Sequence, residues 1–129
     1  MDVISVATKH KQMKNFDNFF FPSDNLEESK KFYSEILGLS TKFDFSQQGM
    51  IAFKVGEEEP AIIIKDKNKF PNAQPAVWIE VKNVKLLYAD LLKKGVFFLS
   101  EPFRIKTGWA VEFTDPSGNL LGITDYNNE

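Results

Sequence analysis

Three pairs of residues constrain this chain more than its composition does. Asn25 and Asn83, Gly38 and Gly95, and Gly49 and Gly108 recur at a spacing of 57 to 59 residues, and each pair holds the same place in a succession of strand, helix and three more strands. An asparagine suits a helix N-cap because its side-chain oxygen accepts a backbone N–H of the first turn. A glycine just past the last apolar residue suits the left-handed position that ends a helix. Duplication of one βαβββ module accounts for all three pairs.

In the first module the aromatic run Asn15 to Phe21, bounded by Pro22, reads as a short buried strand. Asn25 then caps a helix, with Glu28 in capping-box position, Leu26, Ser29, Phe32, Tyr33, Ile36 and Leu37 on one face, and Gly38 at the end. Residues 41–46, 50–55 and 61–65 are strand-like and separated by turn-forming segments. Residues 67–75 are polar and carry two prolines, as a linker would. The pattern restarts with a strand over 76–81 and a helix capped by Asn83, with Val84, Leu87, Tyr88, Leu91 and Leu92 inward. Strands over 96–99, 108–114 and 120–124 complete it. The expected organisation is an N-terminal extension over 1–15 and a single domain over 16–126. Within that domain the first module covers about 16–66, the linker 67–75 and the second module about 76–126.

Two such modules, each with a sheet too small to bury both faces, are expected to pair their sheets. The predicted fold is therefore α+β, with two paired βαβββ modules forming a curved mixed sheet around a cavity. Strand alternation sorts the side chains. Phe19, Phe21, Val77, Ile79 and Val81 are expected to meet the helices, while Asn18, Phe20, Ala76, Trp78 and Glu80 face the trough. The last two strands form a hairpin around Asp115-Pro116-Ser117-Gly118, whose residue types suit a type I turn. Its alternation brings Ala110, Glu112, Leu120, Gly122 and Thr124 to one surface. The candidate ligand-binding residues are Asn18, Phe20, Trp78, Glu80, Glu112 and Thr124. A carboxylate beside aromatic faces suits a cationic or flat amphipathic ligand. The alternatives are that Glu80 and Glu112 are surface charges at a wet strand end, and that Trp78 and Trp109 are core or interface aromatics.

Composition narrows the remaining classes. With 129 residues, 43% of them apolar, and a net charge of −2 from 16 basic and 18 acidic residues, the chain is long enough for a core and lacks a basic footprint for nucleic acid or membrane. No run approaches a membrane span, and a cytoplasmic location is expected. Cysteine is absent and His10 is the single histidine, so no Ser-His-Asp or Cys-His set can be assembled. His10, among lysines, reads as a solvated residue, and Glu57-Glu58-Glu59 as a solvated turn whose carboxylates do not converge. Arg104 and Lys106, on an expected loop, are weak candidates for an anion site. Tyr126 shares the parity of Gly122 and Thr124, which would set its hydroxyl at the trough rim.

Residues 25–39, Asn25-Leu26-Glu27-Glu28-Ser29-Lys30-Lys31-Phe32-Tyr33-Ser34-Glu35-Ile36-Leu37-Gly38-Leu39, and residues 113–121, Phe113-Thr114-Asp115-Pro116-Ser117-Gly118-Asn119-Leu120-Leu121, resemble the first helix and final hairpin of the vicinal oxygen chelate superfamily. That family includes glyoxalase I, bleomycin-resistance and fosfomycin-resistance proteins and extradiol dioxygenases. The resemblance implies metal-ligand positions at Asn18 and Ala76 on first strands, and near Ile63 and at Gly122 on last strands. Of these four only Asn18 carries a side-chain donor. The expectation is a metal-free protein without cofactor, similar to the bleomycin-resistance branch, that sequesters a small aromatic or cationic compound and forms a homodimer. One alternative is a glyoxalase- or dioxygenase-like metalloenzyme with ligands elsewhere. Others are a metal-free acid–base enzyme using Glu80 or Glu112, and an interaction module with a filled trough.

Overall fold

Asn25 and Asn83 start the two helices. In the computed structural model, which describes residues 12–127, the Asn25 side chain accepts the Glu28 N–H at 3.1 Å and that of Asn83 accepts the Leu86 N–H at 3.0 Å. Each bond satisfies a donor that the first helical turn leaves without a backbone partner. His10 and most of the expected extension lie outside the described residues.

The chain runs β1 (Met13–Ser23), α1 (Leu26–Lys31), β2 (Ser40–Phe45), β3 (Met50–Lys54), β4 (Ala61–Asp66), β5 (Ala76–Val81), α2 (Val84–Lys93), β6 (Phe97–Phe98), β7 (Phe103–Ile105), β8 (Gly108–Thr114) and β9 (Leu120–Thr124). It is an α+β fold of mixed, open sheet. Two compact units divide it, one of residues 17–77 and the other of the described residues before 17 and after 77. In the first unit the strand order is β2-β3-β4-β1, and in the second β5 lies beside β9, β9 beside β8, and β8 beside β6 and β7. Apart from β7, which has no counterpart in the first unit, the two orders match position for position, as duplication requires.

The 17–77 unit buries Ile51, Phe53 and Ile64, with Leu26, Tyr33, Leu39 and Ile62 packed against them. β1 and β4 are parallel, with Asn18 opposite Ala61 and Phe20 opposite Ile63. β1 continues through Pro22, which was expected to end it, because the ladder with β4 extends to Ser23 opposite Asp66. The predicted apolar face of the first helix is only partly realised. After Lys31 the helix widens into a π turn over Phe32–Ile36, closed by the Leu37 N–H donating to the Phe32 carbonyl. The wider turn rotates its side chains away from a 3.6-residue face. Leu26 and Tyr33 reach the core, whereas Phe32, Ile36 and Leu37 are exposed. Phe21, expected against the helix, is exposed as well.

The other unit buries Val81, Val84, Leu87, Val111 and Ile123, with Met13, Ile79, Tyr88 and Leu91 among the partly buried neighbours. Leu92, expected inward, is exposed. Gln12 binds this unit at the start of α2: its carbonyl accepts the Lys82 N–H at 3.0 Å and its side chain the Asn83 N–H at 3.1 Å. Gln12 and Lys14 thus pack on this unit, Lys14 through an ion pair with Glu80. Two readings of the second module are corrected. The strand expected over 96–99 is only Phe97–Phe98, and the segment holding Arg104 is strand β7, paired to β8 with Ile105 opposite Gly108. The connecting turn is Lys106-Thr107, which carries no Gly, Asn or Asp to announce it. The Asp115 hairpin forms as its residue types demand. Asp115 accepts the Ser117 and Asn119 N–H groups at 2.9 and 2.8 Å, and Gly118 adopts φ +87°. Among the described residues no helix is long and apolar enough to cross a membrane.

Candidate functional site

β8 and β9 pair with Glu112 opposite Gly122. The missing side chain at 122 opens a space beside Glu112, and the Trp78 indole fills it. A Cβ built on Gly122 would lie 2.3 Å from Trp78 Nε1 and 2.4 Å from its Cδ1. Such separations are far inside van der Waals contact, so any side chain at 122 and the indole at 78 exclude each other. The indole N–H donates to Glu112 Oε2 at 3.0 Å. Trp78 is buried and Glu112 half-buried. A carboxylate has about four lone-pair sites, so one indole N–H leaves it acceptor capacity for another donor or a cation.

The other expected site residues are used differently. Glu80 pairs with Lys14 across 3.3 Å. Thr124 is buried, and its hydroxyl donates to the Trp109 carbonyl at 2.9 Å. In the 17–77 unit the Asn18 side-chain oxygen accepts the Ala61 N–H at 2.9 Å, and its amide donates to Asp17 at 3.2 Å. Phe20 is buried, with Lys65 Nζ 4.9 Å from its ring centroid. Of the six, the structure joins Trp78 and Glu112 directly.

Among the described residues, the positions that the family resemblance implies for a metal offer no donor set. Ala76 and Ile63 offer no side-chain lone pair, and the Gly122 position is filled by indole. The Asn18 oxygen is already an acceptor within its own sheet. Among the described residues no three His, Cys, Asp or Glu side chains come together around a metal-sized space. Glu57 and Glu59 diverge toward Lys54 and Lys42 respectively.

Asp125, which follows the last strand, is a buried carboxylate at the start of α2. Its Oδ2 accepts the Val84 N–H at 2.8 Å, and its Oδ1 the Trp109 and Asn127 N–H groups at 3.0 and 3.2 Å. A charged residue just after the Leu120 to Thr124 strand was its only signal. Arg104, one of the two basic residues considered for an anion site, lies on β7. Its guanidinium lies 5.2 Å from the Trp109 ring centroid and donates to the Asn127 carbonyl at 3.1 Å.

A family model described as Glyoxalase/Bleomycin resistance protein/Dioxygenase superfamily matches residues 15–123. No curated protein matches the chain by sequence. Among solved structures, an NAD-dependent benzaldehyde dehydrogenase from Legionella pneumophila is similar at TM-score 0.68 and 16% identity, over 85% of this chain and 98% of that one. Methylmalonyl-CoA epimerase from Mycobacterium tuberculosis is similar at TM-score 0.67 and 16% identity, over 89% of each chain. A glyoxalase/bleomycin resistance protein/dioxygenase superfamily member from Vibrio splendidus 12B01 is similar at TM-score 0.64 and 13% identity, over 83% of this chain and 95% of that one. At these identities the likeness is one of fold.

Proposed function

This chain belongs to the Glyoxalase/Bleomycin resistance protein/Dioxygenase superfamily, and from that premise we propose that it is a metal-independent small-molecule-binding protein that sequesters an aromatic or cationic compound. The observation that carries the reading is the Trp78 indole seated on Gly122 and hydrogen-bonded to Glu112. An indole face beside a half-buried carboxylate recognises a flat ring by stacking and a cation by ion pairing and cation–π contact. Glu80, on the same strand as Trp78, adds a second acidic group beside it. A homodimer is part of the proposal. Large apolar side chains at the surface, Ile36 at 73%, Phe97 at 69% and Leu86 at 63% exposure, are compatible with burial against a second copy.

Native mass spectrometry of freshly purified protein reads subunit count, metal and any co-purified organic molecule in one measurement. A metal-free dimer is expected. A stoichiometric divalent metal would overturn sequestration in favour of a glyoxalase- or dioxygenase-like metalloenzyme. A tryptophan-fluorescence titration against planar aromatic cations then tests the residues. Glu112→Gln is expected to weaken cation binding about tenfold, on the scale of a charge-assisted contact. Unchanged affinity in both Glu112→Gln and Trp78→Ala would remove this site from the proposal.

A further inference from the structure

A groove of ≈ 590 Å³ lies at the start of α2, walled by Lys82, Lys85, Trp109 and Tyr126 and floored by Asp125 and Asn127. All of these residues belong to the unit that contains β8 and β9. The floor is held by the main chain. Asp125 takes three backbone N–H groups, the Asn127 side-chain amide donates to the Lys82 carbonyl at 2.9 Å, and the Asn127 backbone carbonyl accepts from Arg104. Gly108 lets that segment lie close to β8, since a Cβ there would stand 2.3 Å from the Asp125 carbonyl oxygen.

The walls carry cations beside aromatic rings. Lys85 Nζ sits 3.7 Å from the Trp109 ring centroid, with Arg104 also within reach of that ring. The described ion pairs engage Lys14, Lys30, Lys42, Lys54, Lys67 and Lys94, and neither Lys82 nor Lys85. Asp125, on the groove floor, accepts three backbone N–H groups and stands in no ion pair with either lysine. With Lys82 and Lys85 against the one carboxylate of Asp125, the groove lining carries a net positive charge on a chain whose net charge is −2. The amide N–H groups of Val84 and Leu86 are taken by Asp125 and Asn83, so recognition falls to the side chains.

We infer that this groove binds a small planar aromatic anion, a ring bearing a carboxylate or a phosphate. The ring stacks on Trp109 in the place now held by the Lys85 ammonium. Lys85 turns from the indole face to the anionic group, where Lys82 joins it, and Tyr126, half exposed, borders the ring. An ammonium held on an indole face exchanges that contact for an ion pair as the ring takes over the stacking, so binding replaces each contact it breaks. The charge preference is opposite to that of Trp78 and Glu112.

The test uses the full chain labelled with nitrogen-15, whose two indole N–H signals separate the two sites. They are assigned with Trp109→Phe. AMP and 2-naphthoate are titrated to millimolar concentration, with adenosine and inorganic phosphate as controls. A saturable shift of the Trp109 indole signal is expected with at least one of the two anions, the Trp78 signal staying in place. AMP alone would assign a phosphate ester, and 2-naphthoate alone an aromatic carboxylate. Adenosine and phosphate are expected to bind at least about tenfold more weakly than AMP, and the Lys82→Ala/Lys85→Ala double variant to lose at least about tenfold in affinity. The inference fails if neither anion saturates the Trp109 signal, if the double variant binds as tightly, or if the Trp78 signal moves instead. Surface lysine replacements leave the core intact, and the spectrum itself reports folding.

Discussion

The indole N–H of Trp78 donates to Glu112 across 3.0 Å while the same ring occupies the space a side chain at Gly122 would need. One contact is thus both a polar pair and a steric exclusion. It substitutes an aromatic surface for the position that, by family resemblance, would carry a ligand on the last strand.

Gly122→Ala is expected to destabilise the protein by about 1 to 3 kcal/mol, the usual range for overpacking, because its Cβ meets the indole ring. In a Trp78→Ala background the same substitution should cost much less, since the obstructing ring is gone. Urea unfolding of the two single variants and the double gives the coupling, expected at about 0.5 to 3 kcal/mol. Simple additivity would contradict the packing described.

Asp125→Asn should lower stability by about 1.5 to 3 kcal/mol, the range for hydrogen bonds to a charged acceptor. An amide presents one oxygen to three backbone donors, and its NH2 faces either Val84 N–H or the Trp109 and Asn127 N–H groups. Gly108→Ala should be harmful by a separate route, since the atoms it meets are largely backbone and cannot swing aside. Thermal unfolding checks both, and an unchanged Tm in either would count against the floor as described.

Ser46 and Lys30 hydrogen-bond to Asp44 and lower its carboxyl pKa to about 2. A carboxylate whose folded pKa lies below its unfolded value, about 3.9, contributes stability above that unfolded value. The contribution is lost as pH falls from about 4 toward 2. Asp44→Asn should therefore flatten the stability profile in this acid window while leaving the profile near neutrality parallel to wild type. The pair is exposed, so added salt should shrink the effect. Chemical denaturation across that pH range in both proteins is the measurement, and an identical acid slope would refute the assignment.

Asn25→Ala and Asn83→Ala should each cost about 1 kcal/mol through loss of an N-cap. The caps serve different helices, so the costs should add. Asn→Asp at either position should retain most of the stability, because aspartate caps as well as asparagine. Denaturant midpoints decide it, and a neutral Asn83→Ala would mean that Asp125 alone holds that helix start.

Legibility followed the range of the interactions. The Asn25 and Asn83 caps, the Asp115 turn and the strands over 108–114 and 120–124 were readable because each rests on residues close in sequence. That Glu112 and Gly122 share a surface followed from alternation on either side of the turn that joins their strands; their register came from the structure. Harder were the π turn after Lys31, which no residue type announces, and β7, whose connection to β8 lacks turn residues. The parity argument set Trp78 and Glu112 on one surface but said nothing of the contact between them.

The sequence by itself determined the duplicated βαβββ pattern, the helix starts and the final hairpin, because capping, turn chemistry and alternation act within a few residues. Tertiary structure alone decided what long-range packing decides. It set the indole of Trp78 on Gly122, folded Asp125 back onto Val84 and Trp109, and laid Lys85 over Trp109. Those contacts depend on where strands and helices distant along the chain come to rest against one another, and local residue preferences carry no information about that.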